Sequence, residues 1–184
     1  MSTPRVTFVA GFLALLGATL PAHATEYWSP KSLLGEFFKA SKKVSPRAVT
    51  LSDAEATEIA KKLGTEPARM QRKFSIYVGE ADGKRTGFAL LDAEIGLHEP
   101  IDFGVRFDER GVVERVEIMA YREAYGEEVR GERFRKQFVG KTAADPVELN
   151  KDIKNISGAT LSCRHVTDGV RRLLALQAAS LKAS

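Results

Sequence analysis

Apolar residues near the end of the chain recur with the spacing of one helix face. They are Val166, Val170, Leu173, Leu174 and Leu181. Because a recurrence every three to four residues predicts an amphipathic helix, we expect one long helix in the C-terminal part of the chain. Four small residues at 157–160 directly precede this pattern. They therefore lie at the N-terminus of the predicted helix.

The middle of the chain shows the alternation of apolar and polar residues that is typical of β-strands. Strands are predicted at residues 74–78, 86–91, 101–107 and 112–121. Turn sequences at Asp82-Gly83 and at 108–111 separate them, as expected of an antiparallel meander. We therefore predict a single α+β domain in which an antiparallel sheet of about four strands packs against helices.

Helices are also predicted on both sides of this sheet along the chain. Residues 27–43 carry apolar side chains at helical spacing. Ser52 and Glu55 form a capping box that begins a second helix. We therefore assign residues 25–65 to an N-terminal helical part. A further short helix is predicted at 132–138.

The first 24 residues have the features of a secretory signal peptide. Arg5 is the only charged residue ahead of an almost wholly apolar run at 6–20, and small residues at positions 22 and 24 suit cleavage after Ala24. The run is shorter than the roughly 20 residues that span a bilayer. We therefore predict export to the periplasm and a soluble mature domain of residues 25–184, with an uncleaved anchor as the alternative.

Charge and cysteine content narrow the possible functions. The 28 Lys and Arg residues and the 24 Asp and Glu residues give a net charge of +4, and the two signs are interspersed. This distribution argues against a nucleic-acid partner, which requires basic residues clustered on one face. Cys163 is the only cysteine, so an internal disulfide and a thiolate metal cluster are both excluded. The sequence indicates no metal site.

The small residues before the C-terminal helix are the candidate binding site. The N-terminus of a helix has unpaired backbone N–H groups and the positive end of the helix dipole, and both favour a phosphate. Gly158 and Ala159 leave room for a ligand to approach the backbone, and Thr160 adds a hydroxyl. The alternative is an ordinary helix cap, because Ser and Thr are common N-cap residues and Gly is a common turn residue.

The sequence Ser157-Gly158-Ala159-Thr160-Leu161-Ser162 resembles the flavin-attachment motif of the FMN-binding domain family. That family includes the C subunit of the sodium-translocating NADH:quinone reductase, the G subunit of the Rnf complex and small periplasmic flavoproteins. The resemblance implies that a dedicated flavin transferase joins the phosphate of FMN to Thr160 by a phosphoester. The family usually has an Asp three residues before the Ser. Here that residue is Lys154, and the nearest acid is Asp152.

The resemblance extends over residues 74–174 and implies further flavin contacts. In the family, the segment after the last meander strand lies near the isoalloxazine ring, and here this segment contains Glu123, Tyr125 and Gly126. Tyr125 is expected to stack on or border the ring, or else to be a half-buried surface tyrosine. Glu123 is expected to orient a group at the ring edge or to cap a nearby helix.

Three further candidates have structural alternatives. Arg164 follows the attachment motif and is suited to a phosphate, or it is a solvated helix residue. Cys163 is either reactive, because helix N-termini lower thiol pKa values, or a small packed residue. His98-Glu99 is a candidate pair for the flavin edge or for general acid/base catalysis, and we interpret it as structural.

The resemblance implies an electron carrier more than an enzyme with its own substrate, and we find no substrate-processing triad, Walker loop or Rossmann fingerprint. A flavin tied by its phosphate keeps its ring free for electron transfer and is not lost from an open compartment. The expected partners are the flavin transferase and membrane or periplasmic redox proteins such as cytochromes. Contact with a membrane is expected only through these partners or through an uncleaved signal anchor. Two alternatives stay open: a module that binds flavin non-covalently or not at all, and a flavin subunit of a small-molecule reductase.

Overall fold

A computed structural model describes residues 25–182 of the chain, so the predicted signal peptide lies outside the described residues. The strands are β1 (Thr25–Glu26), β2 (Lys43–Thr50), β3 (Lys73–Ala81), β4 (Lys84–Ile95), β5 (Pro100–Phe107) and β6 (Val113–Tyr121). The helices are α1 (Pro30–Phe37), α2 (Asp53–Leu63), α3 (Glu132–Arg135) and α4 (Thr160–Lys182). Short 3-10 helices span Pro67–Arg69, Glu127–Arg130 and Lys136–Phe138.

The six strands form one antiparallel sheet in the order β1-β6-β5-β4-β3-β2. Its centre is the predicted meander. Asp82 and Gly83 join β3 to β4 with positive φ values of 51° and 72°, as a tight hairpin turn requires. The prediction of about four strands is wrong, because β1 and β2 add an edge strand on each side.

The N-terminal part, which we predicted to be helical, is therefore mixed. The helix expected at 27–43 is shorter, because α1 ends at Phe37 and the chain continues into β2. Pro46 is accommodated in β2 because one side of an edge strand needs no ladder hydrogen bond. The second predicted helix is confirmed as α2, and Ser52 and Glu55 form the capping box at its start.

Helices cover both faces of the sheet. On one face α1 packs closely on β5, where a Cβ atom at Gly104 would lie 2.7 Å from Leu33. On the other face α2 and α4 enclose the larger core. The apolar face predicted for the long helix is confirmed, and its buried members are Val166, Val170, Leu173 and Leu174. No helix within residues 25–182 combines the length and the apolar character that crossing a membrane requires.

Candidate functional site

Helix α4 begins without a side-chain cap. Its first intrahelical bond joins the N–H of Cys163 to the carbonyl of Ala159 at 2.9 Å. Ala159 is therefore at the N-cap position, and alanine has no side-chain acceptor to offer there. The N–H groups of residues 160–162 have no partner within the helix, and the first turn contains no acidic residue. These donors and the positive end of the helix dipole suit an anion.

The start of α4 and the turn before it have two faces. The outward face consists of the exposed residues Ser157, Gly158, Thr160 and Leu161. The inward face consists of the buried residues Ala159, Ser162 and Cys163. Thr160 is the first residue of the helix, as the sequence predicted. Because its side chain is on the outward face, its hydroxyl can be reached from outside the protein.

Asn155 holds the Thr160 hydroxyl on the outward face. Its Nδ2 donates to Thr160 Oγ1 at 2.8 Å, and its Oδ1 accepts the N–H of Ile156, also at 2.8 Å. Gly158 has a φ of +87°, and a Cβ atom there would meet nothing within 4 Å. The space beside the backbone of Gly158 is therefore open. This role of Asn155 was not predicted from the sequence. The only indication in the sequence is an amide side chain shortly before the motif.

The inward face is tied to the end of β6. The Tyr121 phenol donates to the backbone carbonyl of Tyr125 and lies 2.7 Å from Ser162 Oγ. Since a phenol has one proton, the Ser162 hydroxyl is the donor in that second contact. Burial raises the pKa of Tyr121, so the phenol stays protonated. Gly126 packs against the same pair, with a φ of +96° and room for no Cβ atom.

Two surface cavities flank the turn that contains Gly158. The larger cavity, of about 810 Å³, extends from Gly158 along residues 124–132 to Arg135. Its volume lies in the range of small-molecule sites. Tyr125 borders it and is 86% exposed, which is more than the half-buried alternative predicted. The smaller cavity, of about 610 Å³, lies between Ser157 and α3.

The wall of the larger cavity carries both signs of charge. The Arg130 guanidinium lies over the Tyr27 ring at 4.4 Å and 3.6 Å from a carboxylate oxygen of Glu127. Arg135 is held by Glu117 at 2.6 Å and is mostly buried. Arg130 is half exposed, so it is the cation on this wall with the greater freedom to meet a ligand.

Residues 96–175 match the family model of the FMN-binding domain. This segment of the chain is therefore similar to the FMN-binding domain family. The resemblance inferred from the sequence is confirmed, although it was placed over the wider range 74–174. The matched segment contains Thr160 together with residues 123–126, so it includes both faces of the helix start and the larger cavity.

A solved structure similar to this chain is the C subunit of the Na(+)-translocating NADH-quinone reductase from Parabacteroides distasonis. The two are 18% identical with a TM-score of 0.43, and the similarity covers 71% of this chain and 73% of that chain. No curated protein sequence matches this chain.

Within the matched segment, Glu123 organises the loop that joins β4 to β5. Its carboxylate accepts the backbone N–H groups of His98 at 2.5 Å and of Glu99 at 2.9 Å. Burial acts to raise the pKa of Glu123, but these hydrogen bonds outweigh it and hold the pKa below its usual value. Glu123 therefore caps a loop and not a helix. A contact between Glu123 and flavin stays a prediction.

Side-chain hydrogen bonds hold the segment before the motif at the position where it departs from the family pattern. The Gln137 amide accepts the Lys154 N–H at 2.7 Å and donates to its carbonyl at 3.2 Å, so the backbone at this position is held from both sides. Asp152 accepts the N–H groups of Val147 and Glu148 and pairs with Lys141 at 2.8 Å. Because Asp152 is committed to this loop, it does not replace the usual acid at position 154.

The structure also places the remaining candidate residues. Cys163 is fully buried, and burial raises the pKa of its thiol, which fits the packed alternative. Arg164 is exposed in the first turn of α4. His98 is exposed, and its backbone N–H bonds Glu123. No group of three or more His, Cys, Asp or Glu side chains within residues 25–182 is arranged to hold a metal ion.

Proposed function

We propose that this protein is an exported electron carrier in which FMN is esterified to Thr160. The observation that carries the proposal is the exposed Thr160 hydroxyl at the uncapped start of α4, within a segment that matches the FMN-binding domain. Bound FMN supplies transfer of one or two electrons. The residues present fit this group, because phosphate donors, an open approach and a cavity of suitable volume lie together.

Each part of the site has a role toward the cofactor. The backbone N–H groups of residues 160–162 hold the phosphate, and the helix dipole stabilises its charge. Arg164, exposed one turn beyond Thr160, adds a cation on the same side. Tyr125 and Gly126 line the larger cavity, where they would border the ring, and Arg130 provides a positive charge on its wall. This cation would favour a group that carries negative charge.

Location and partners follow from the same proposal. The apolar run at 6–20 and the small residues at 22 and 24 support export to the periplasm. There the ester keeps the cofactor on the protein, and membrane or periplasmic redox proteins supply and accept the electrons. The first partner is a flavin transferase, which must reach Thr160. Cell fractionation tests the location, and an intact mass that corresponds to a chain beginning at Thr25 tests the cleavage.

The attachment is tested by intact-mass spectrometry after co-expression with a flavin transferase. Wild-type protein is expected to gain the mass of one esterified FMN and to stay yellow after denaturing precipitation, whereas Thr160→Ala gains nothing. Thr160→Ser is the matched control, because it keeps a hydroxyl in the same place. A wild type without added mass, in the presence of a transferase that modifies another acceptor, would contradict the proposal.

Lys154 favours a second candidate, a module that binds FMN without the covalent bond. The residue replaces the Asp that the family usually has, and its side chain is exposed next to the motif. Flavin that is released by denaturation, with no added mass on the protein, would support this candidate. Lys154→Asp would then restore the covalent bond if recognition of the acid is the missing step.

A further inference from the structure

The Asn155 side chain has one orientation that satisfies its hydrogen bonds. Its Oδ1 accepts the N–H of Ile156 at 2.8 Å, and an amide NH₂ group in that place would face a second donor. The other end of the amide is therefore the NH₂ group, and it donates to Thr160 Oγ1 at 2.8 Å. The backbone N–H of Ile156 thus fixes the orientation in which the Asn155 amide donates to the Thr160 oxygen.

This donor restricts a side chain that has other choices. Threonine in the first turn of a helix divides between rotamers, because its hydroxyl can also bond to backbone carbonyls. The bond from Asn155 selects the rotamer in which Oγ1 faces this amide. In the described part of the chain, the Thr160 hydroxyl donates to no acceptor. Its proton is therefore not engaged by this chain and is accessible to an external base.

We infer that Asn155 is the positioning residue for the esterification of Thr160. The inference rests on the proposed function and concerns how this chain prepares its own acceptor. An alcohol forms a phosphoester only with an activated phosphate, such as the anhydride of a flavin dinucleotide. Thr160 Oγ1 forms the new bond to the phosphorus of the FMN half, and the anhydride bond to the second phosphate breaks. The nucleoside monophosphate leaves with the bonding electrons, and the hydroxyl proton passes to a base of the transferase.

Asn155 acts in two ways in this step. It holds Oγ1 where the transferase can deliver the phosphorus, so less rotational freedom is lost on the way to the transition state. It also places an N–H dipole on the oxygen, which stabilises the partial negative charge that develops as the proton leaves. The helix N-terminus adds to the same effect. The side chain of Lys154, one residue earlier, provides no such contact to the hydroxyl within the described residues.

The test is a time course with purified transferase, a flavin dinucleotide and this protein in its full mature form. Intact mass gives the fraction that carries FMN. Asn155→Ala is expected to be modified about tenfold more slowly, as loss of a hydrogen bond to a developing charge predicts. Asn155→Asp keeps the acceptor for the Ile156 N–H but lacks the donor, and it is expected to be as slow. Lys151→Ala, an exposed neighbour that pairs with Glu148, is expected to keep the wild-type rate.

A purely structural role would give a different result. If Asn155 positions the hydroxyl, the variants lower the kcat of the transferase for this acceptor and leave KM and the unfolding temperature close to wild type. A rise in KM alone, or wild-type rates for Asn155→Ala and Asn155→Asp, would overturn the inference while the proposed function stands. A wild-type protein that gains no FMN would instead reject the proposed function, and with it the inference.

Discussion

The two faces of the helix start carry hydroxyls only two residues apart, and the surroundings give them opposite properties. Thr160 is exposed, and its oxygen accepts a hydrogen bond from Asn155. Ser162 is 5% exposed, and its hydroxyl is used in a bond to Tyr121. Residues two apart on a helix point in nearly opposite directions. One turn of α4 therefore separates the group that is open to chemistry from the group that anchors the helix.

Different parts of the chain build these two faces. The inward face is held by the end of β6 and the residues after it, through Tyr121 and Gly126. The outward face is held by the loop before α4, through the Asn155 side chain and through the two hydrogen bonds of Gln137 to the backbone of Lys154. Because the supports are independent, changes in one face should leave the other largely intact.

The largest expected effect is on attachment. Thr160→Ala should remove all covalent FMN although the Ser162 hydroxyl remains two residues away, because Ser162 is buried and already bonded. The free energy of unfolding should change by less than about 0.5 kcal/mol, as for most surface substitutions. Peptide mass mapping and chemical denaturation measure the two results. FMN found on Ser162 in this variant would show that the inward face is not closed to the transferase.

The next largest effect concerns two glycines that share a positive φ. At Gly126 a new Cβ atom would lie 2.4 Å from Ser162 Oγ and 2.6 Å from the Tyr121 hydroxyl, whereas at Gly158 it would meet open space. Gly126→Ala should therefore cost about 3 kcal/mol of stability, from strain and collision together. Gly158→Ala is the matched control and should cost about 1 kcal/mol, from strain alone. Equal losses in urea unfolding would contradict the packing described for the inward face.

The parts of this molecule that the sequence predicted are those whose own side chains determine them. The central strands and α4 were predicted by periods of two and of three to four residues, and α2 by its capping box. The edge strands were missed because their pattern is weak. β1 has two residues, and β2 alternates exposed positions with Pro46 among them, so each depends on a neighbouring strand for its pairing.

The candidate site divides in the same way. The position of Thr160 followed from the motif, since a small-residue turn before an amphipathic pattern is a local feature. The contacts of Asn155 and Gln137 were not predictable, because they depend on the path of the loop before α4. That loop includes Val147 and Asn150 at positive φ values of 46° and 66°, which local propensity does not indicate for valine.

A smaller effect is expected when the Tyr121 hydroxyl, which holds the inward face, is removed. Tyr121→Phe leaves the Ser162 hydroxyl and the Tyr125 carbonyl without the phenol, which should cost about 1–2 kcal/mol. Attachment of FMN to Thr160 should continue at the wild-type rate. A double-mutant cycle with Ser162→Ala measures the direct coupling, and denaturant unfolding gives the free energies. A large loss of FMN in Tyr121→Phe would show that the two faces are coupled.

The smallest expected effect is an acid sensitivity of the outward face. Burial acts to raise the pKa of Asp152, but hydrogen bonds from the N–H groups of Glu148 and Val147 and from Lys141 outweigh it and lower the pKa. A carboxyl with a lowered pKa in the folded state stabilises the fold above its unfolded pKa of about 3.9. That contribution is lost as the pH falls from there through the folded-state value.

Asp152→Asn should therefore lower the free energy of unfolding at neutral pH. Below about pH 4, the stability of this variant should depend less on pH than that of the wild type. Thermal unfolding across this pH range measures both changes, and Asp168→Asn, which removes an exposed carboxylate of α4, is the control. The loop that Asp152 holds leads to Asn155, so its loosening in acid should slow attachment at Thr160 before the contact between Tyr121 and Ser162 is affected. Hydrogen exchange monitors the loop and the contact between Tyr121 and Ser162 separately. If both lost protection at the same pH, the outward and inward faces would unfold as one unit.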